Sequence, residues 1–209
     1  MQQDHKGTAG GLSRKSGSRT GLRRLFRSKD GAAAIEFALL AIPYFLIVFA
    51  IIETFVAYTA EQLVANAVDT MGRKLRTGNI TYAHGNSSTD KSAAEFRTAF
   101  CGEISILIQC GTAEITTPNK LWIDVKSYSN FSDMPATVPI KANGDLDTTS
   151  LAYSPGGPNT KNMLRVYYKW EIITDLLRPY ITNIKPTDSS RPNYFLIVET
   201  SVFKNEEYP

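Results

Sequence analysis

Residues able to do chemistry are sparse in this 209-residue chain. There are two histidines, His5 and His84. A His-centred triad or a zinc site would have only His84, set in a Gly/Asn/Ser stretch, to draw on. GxxxxGK[ST], which cradles phosphates, GxGxxG, which binds dinucleotides, and HExxH, which binds zinc, are all absent. The carboxylates are scattered, and none is set in an acid–base pair. No catalytic residue, cofactor-binding residue or metal ligand is therefore expected, and the chain is read as not an enzyme. Two other features stand out. One is Glu36, a carboxylate inside an apolar run, with Gly31 five residues before it. The other is Cys101 and Cys110, the only two cysteines.

A carboxylate in hydrocarbon costs about 2.5–3.5 kcal/mol on insertion scales, so such a group is expected to have a partner. Cutting the chain between Gly31 and Ala32 would create one, a new α-amino group that Glu36 of a neighbouring chain could pair with. The plainer reading places Glu36 in the first helical turn, near the interface and favoured by the helix dipole. For the cysteines, the CxxC spacing of a redox or zinc site is missing. A disulfide in an exported domain is expected, the alternative being two buried thiols. On one unbroken helix their Cα atoms would lie about 13–14 Å apart, too far for a bond that needs less than about 7 Å. A bond thus requires a helix break near Gly102 or before Cys110.

The elements that must position these groups begin with charge. Net charge is only +3, but residues 1–30 carry +6 and residues 31–209 carry −3. Confinement of the net positive charge to one short segment argues against a nucleic-acid-binding surface. The split also argues against a uniformly soluble enzyme. From Phe37 to Ile52 no residue is charged, and Ala32–Tyr58 is interrupted only by Glu36 and Glu53. That is the length needed to cross a bilayer, about 20 residues. Arg23, Arg24, Arg27 and Lys29 precede the run, which places the N-terminus in the cytoplasm and the rest outside. A buried helix of a soluble domain is one alternative. A secretory signal peptide cut near Ala65-x-Ala67 is another. Pro43 predicts a kink near Leu39–Pro43.

Helical spacing continues past the run. Ala60, Val64, Ala67, Val68, Met71 and Leu75 form a stripe, with Glu61, Asp69, Arg73 and Lys74 opposite and a stop at Thr77-Gly78-Asn79. One helix over about Ala32–Arg76 is predicted. A second amphipathic segment holds Ala93, Phe96, Phe100, Ile104 and Leu107, with Ser88 or Thr89 as cap. Strands are read at Leu121–Lys126, Leu164–Ile172 and Tyr194–Phe203. A long loop over Asp133–Asn162 lies between the first two. A short helix over about Thr174–Asn183, interrupted by Pro179, joins the last two. The fold class is α+β, a long N-terminal helix packed on a small antiparallel sheet. The organisation is a basic cytoplasmic leader over 1–31, a helix over 32–78 with a membrane span at about 37–57, and a periplasmic domain over 79–209.

Lys29-Asp30-Gly31-Ala32-Ala33-Ala34-Ile35-Glu36-Phe37 resembles the processing site of type IV prepilins. In that family a membrane aspartic peptidase cuts after the Gly, and the Glu becomes mature position five. The wider pattern resembles the TadE/TadG-like family of tight-adherence (Tad) pilus assembly proteins. It rests on that segment, Glu53 at the outer end of the apolar helix, Arg73-Lys-Leu-Arg-Thr77-Gly78, the cysteine pair, Val166-Tyr-Tyr-Lys-Trp170 and Phe203-Lys-Asn-Glu206. The resemblance implies a pilin-like fold. It further implies a minor pilin or pseudopilin of a type IV pilus used for adherence and biofilm formation, with Gly31 and Ala32 flanking the cleavage site and Glu36 setting assembly register. Ala32 stands where many type IV pilins have an aromatic, which fits the Tad branch better. Implied partners are a prepilin peptidase, other Tad pilins, inner-membrane assembly proteins and the lipid bilayer, with no nucleic acid and no small-molecule substrate. The implied location is the inner membrane, single-pass, with the C-terminal domain in the periplasm. An uncleaved scaffold of the Tad secretion machine is the alternative.

Overall fold

A computed structural model describes residues 29–188 and 192–208. The leader expected over 1–31 lies, up to residue 28, outside the described residues. The first element is α1, Lys29–Arg76, a helix of 48 residues that begins three residues before Ala32 and continues through Pro43. It ends as its sequence dictates. Thr77 N–H donates to the Arg73 carbonyl at 3.0 Å, and Ile80 N–H to that of Lys74 at 3.0 Å. Between them Gly78 takes φ +73°, a left-handed turn that a Cβ disfavours. The Tyr208 ring also lies over Gly78, where an added Cβ would come within 2.5 Å of it.

The chain divides into two compact units between Ile47 and Val48. In the second, α1 packs on a sheet of four strands. These are β1 (Leu121–Tyr128), β2 (Tyr153–Ser154), β3 (Lys161–Trp170) and β4 (Phe195–Lys204), in the order β2-β1-β3-β4. The β1–β3 and β3–β4 pairs are antiparallel, with Val125 opposite Leu164 and Val166 opposite Glu199. The β1–β2 pair is parallel, which corrects the expectation of a purely antiparallel sheet. Strand β2 is two residues long and is drawn from the stretch read as loop. With no alternation of its own, it adds to the free edge of β1 as the loop returns.

The stripe read on α1 is its core face. Ala60, Val64, Val68, Met71 and Leu75 are buried with Leu121, Ile123, Val125, Leu164, Val166, Ile197 and Phe203 on one face of the sheet. Helix α2 (Ala93–Ile104) adds Phe96, Phe100 and Ile104 to this core. Its cap is Ser92, not Ser88 or Thr89. Ser92 and Glu95 form a reciprocal capping box, with Glu95 Oε2 accepting from Ser92 N–H at 2.8 Å. A five-residue helix α3, Thr112–Thr116, follows.

The second face of the sheet is covered too. Tyr167, Leu196, Leu146 and Tyr194 form a smaller core beneath the loop that precedes β2. Arg165, on that face of β3, is buried and holds the loop down. Its guanidinium donates to the carbonyls of Pro135 at 2.7 Å and Thr137 at 3.0 Å, and to Thr200 Oγ1 at 2.8 Å. Helix α4 is only Arg178–Ile181, shorter than the Thr174–Asn183 expectation. Pro179 sits in its first turn, where a missing N–H costs nothing, and so starts the helix instead of interrupting it.

Candidate functional site

Along α1 three positions carry the functional reading: the Gly31–Ala32 bond, Glu36 and Glu53. The Gly31–Ala32 peptide lies in helical backbone. Glu36 is exposed, and among the described residues it has no hydrogen-bond or ion-pair partner. It stands four residues after Ala32, the spacing that sets two positions on one helical face. A cationic terminus at Ala32 would therefore be within reach of a Glu36 carboxylate, its own or a neighbour's.

Beyond Glu36 the apolar side chains point outward all round the helix. Phe37, Leu39, Leu40, Ile42, Phe45 and Ile47 are exposed. So are Phe49, Ile51, Ile52 and Phe55 further on. Mean hydropathy reaches 2.5 over an 18-residue window, none of it buried. Such a surface in water would be an aggregation site. In a bilayer it is the solvated state, and residues 33–52 supply the roughly 30 Å of helix that the hydrocarbon core requires. The chain is thus a membrane-anchored, single-pass protein.

Glu53, the first charge after the apolar run, was read from the sequence only as a landmark. In the fold it is 8% exposed and does specific work. Its Oε1 accepts the backbone N–H of Ile173 at 2.5 Å. Both carboxylate oxygens lie 3.3 Å from the N–H of Thr174. A carboxylate that takes up two otherwise unpaired backbone donors is a charge-assisted clamp. It fastens the segment between β3 and α4 to the C-terminal end of the apolar stretch. The signal available beforehand was a lone carboxylate closing a charge-free run; its partner, 120 residues away, was not legible.

Acids on α1 also act on the edge strand of the sheet. Glu199 on β4 is half-buried, and burial, then Glu61 and Asp69 on the helix, push its carboxyl above the ordinary value. Next to it the helix comes close to the strand. A Cβ on Gly72 would lie 2.9 Å from Ser201 Oγ and 3.3 Å from Ser201 Cβ.

Cys101 and Cys110 form the expected disulfide, with Cα atoms 5.9 Å apart. The helix break that it requires is the end of α2 at Ile104, where Ser105 N–H turns back to the Gly102 carbonyl at 3.4 Å. His84 lies on an exposed turn whose N–H groups, its own and that of Gly85, are held by Asp90 at 3.1 and 2.8 Å. Among the described residues no cluster of His, Cys, Asp or Glu could hold a metal ion.

No curated protein and no solved structure matches the chain. The family model described as TadE-like protein matches residues 31–73. That interval opens on Gly31, includes Glu36 and Glu53, and closes on the part of α1 packed against the sheet. Over this stretch of helix the chain is similar to TadE-like proteins.

Proposed function

We propose that this protein is a minor pilin or pseudopilin that takes part in assembling a Tad-type pilus for surface adherence. It sits in the inner membrane with its N-terminus in the cytoplasm and its C-terminal domain in the periplasm. A prepilin peptidase cuts it after Gly31. Its role is structural and not catalytic. The observation that carries this reading is Glu36, a carboxylate with no partner among the described residues, four residues after Ala32 on a helix whose apolar side chains are open on every side. A helix so built is satisfied by lying among other helices. There the carboxylate finds a terminal amine, and the apolar side chains find lipid or neighbouring pilins.

The test is N-terminal sequencing of the membrane-extracted protein. A mature terminus at Ala32 is expected, and an intact leader overturns processing. Glu36→Ala should leave cleavage in place and reduce piliation; unchanged piliation overturns the pairing role. One observation favours the alternative of an uncleaved inner-membrane scaffold. The Gly31–Ala32 bond is already held in helical backbone, which a peptidase would have to unwind. The same sequencing experiment separates the two.

A further inference from the structure

We infer that the segment between β3 and α4, through α4 itself, is a second membrane contact that lies in the interface of the outer leaflet. The inference rests on the membrane-anchored reading of α1. Three of the most exposed apolar side chains in the second unit crowd into this segment: Ile173 at 87%, Leu176 at 61% and Tyr180 at 86% exposure. Exposed apolar groups this close together ask for a cover. The Glu53 clamp says what the cover is. Because its carboxylate binds the N–H groups of Ile173 and Thr174, the segment is fixed at the level of residue 53. On the helix that level is bounded by the exposed Ile51, Ile52 and Phe55. The apolar side chains of the segment thus continue the lipid-facing surface sideways at the point where the span leaves the hydrocarbon.

The chemistry of the neighbouring groups agrees. Tyr180 is of the type enriched at membrane interfaces. Beside the segment lies an open cavity of about 500 Å³ whose lining includes Lys120, Lys169 and Arg178. Lys120 is bound to Glu171 at 2.8 Å, and Arg178 holds Asp175 at 2.5 Å. Of these, Lys120 and Arg178 are partly exposed and meet the phosphate layer at this height, while Ile173 and Leu176 reach below it. The occupant is therefore a phospholipid surface.

The test uses the full chain reconstituted in phosphatidylcholine–phosphatidylglycerol vesicles, with and without bromine on the acyl chains near the glycerol. Leu176→Trp and, separately, Tyr180→Trp report on the segment, with the wild-type emission subtracted for Trp122 and Trp170. Leu40→Trp reports on the span. Brominated lipid should quench the added Trp emission at least twofold at positions 176 and 180, as for a side chain seated in the interface, and at position 40 as well. Quenching at 40 with none at 176 and 180 overturns the inference and leaves the membrane anchor standing. No quenching at any of the three overturns the anchor, and the inference with it.

Discussion

At the scale of single residues, Glu53 and Glu199 are two carboxylates with opposite fates. Glu53 is buried against donors and stabilises. Glu53→Ala would leave the N–H groups of Ile173 and Thr174 without an acceptor, at a cost of about 1–3 kcal/mol. The expected reading is a lower Tm for the detergent-solubilised protein, with faster hydrogen exchange confined to the amides of Ile173 and Thr174 and their neighbours. Glu199 is instead crowded by Glu61 and Asp69 and by burial, so its folded pKa is raised. The folded state then holds this proton more tightly than the unfolded state does. The contribution favours folding at low pH and is lost as pH rises through the carboxylate range. Glu199→Gln should raise stability at pH 7 by about 0.5 kcal/mol, the usual size of an exposed charge interaction, and have less effect near pH 4. A denaturant midpoint measured at both pH values checks the sign. Only the landmark role of Glu53 was legible in the sequence. What makes it a clamp is a backbone 120 residues away, and no periodicity encodes that pairing.

At the scale of elements, local patterns carried most of the fold. The stripe from Ala60 to Leu75 is buried as its spacing requires, and the left-handed Gly78 ends α1 where a glycine stop was read. The cysteines show what a geometric argument adds. A nine-residue separation excluded one unbroken helix, and α2 does end between them. Reducing this bond should cost about 2–3 kcal/mol in the chain-entropy account of a loop this short. Thermal unfolding with and without a thiol reductant measures it. Other features escaped for physical reasons. The α2 cap is Ser92 because Glu95 stands three residues on to complete the box, and that partner, not the nearness of a hydroxyl, decides the start. Strand β2 has no pattern because it is paired only at two residues. The sequence does not single out Gly72, yet a Cβ there would meet Ser201 of β4 at 2.9 Å. Gly72→Leu should destabilise by about 1–3 kcal/mol through overpacking, despite the better helix propensity of Leu. A shifted denaturant midpoint without a change in slope would show it.

At the scale of the whole molecule, one helix serves two solvents. Its first half is apolar on all sides, and its second half is apolar only toward the sheet. The hydropathy contrast was plain in the sequence, as was the α+β class. The two-sided burial of the sheet was not. The alternation on β3 puts Arg165 and Lys169 on what looks like a solvent face, yet both are buried. The loop that covers Arg165 is polar and patternless, and it is tied in place by single contacts, among them Arg165 to the Pro135 and Thr137 carbonyls and Tyr194 to Asp145. The division into two solvents makes a prediction at this scale. Ile47→Arg should cost about 2.5–3.5 kcal/mol of insertion free energy. The fraction of protein resisting alkaline carbonate extraction from membranes should fall, while the disulfide and sheet of the second unit remain intact.

The packing of α1 from Ala57 to Leu75 on the sheet also has a mechanical consequence. Here the helix is itself part of the core, with Ala60, Val64, Val68, Met71 and Leu75 buried against the sheet. A pull along the packed part of α1 meets side-chain contact from its first turn to its last. It loads five turns of side-chain contact and the Glu53 latch in parallel, a shear geometry in which all of the bonds must yield together. Force applied to this part of the helix is thereby shared across the whole of its contact with the sheet.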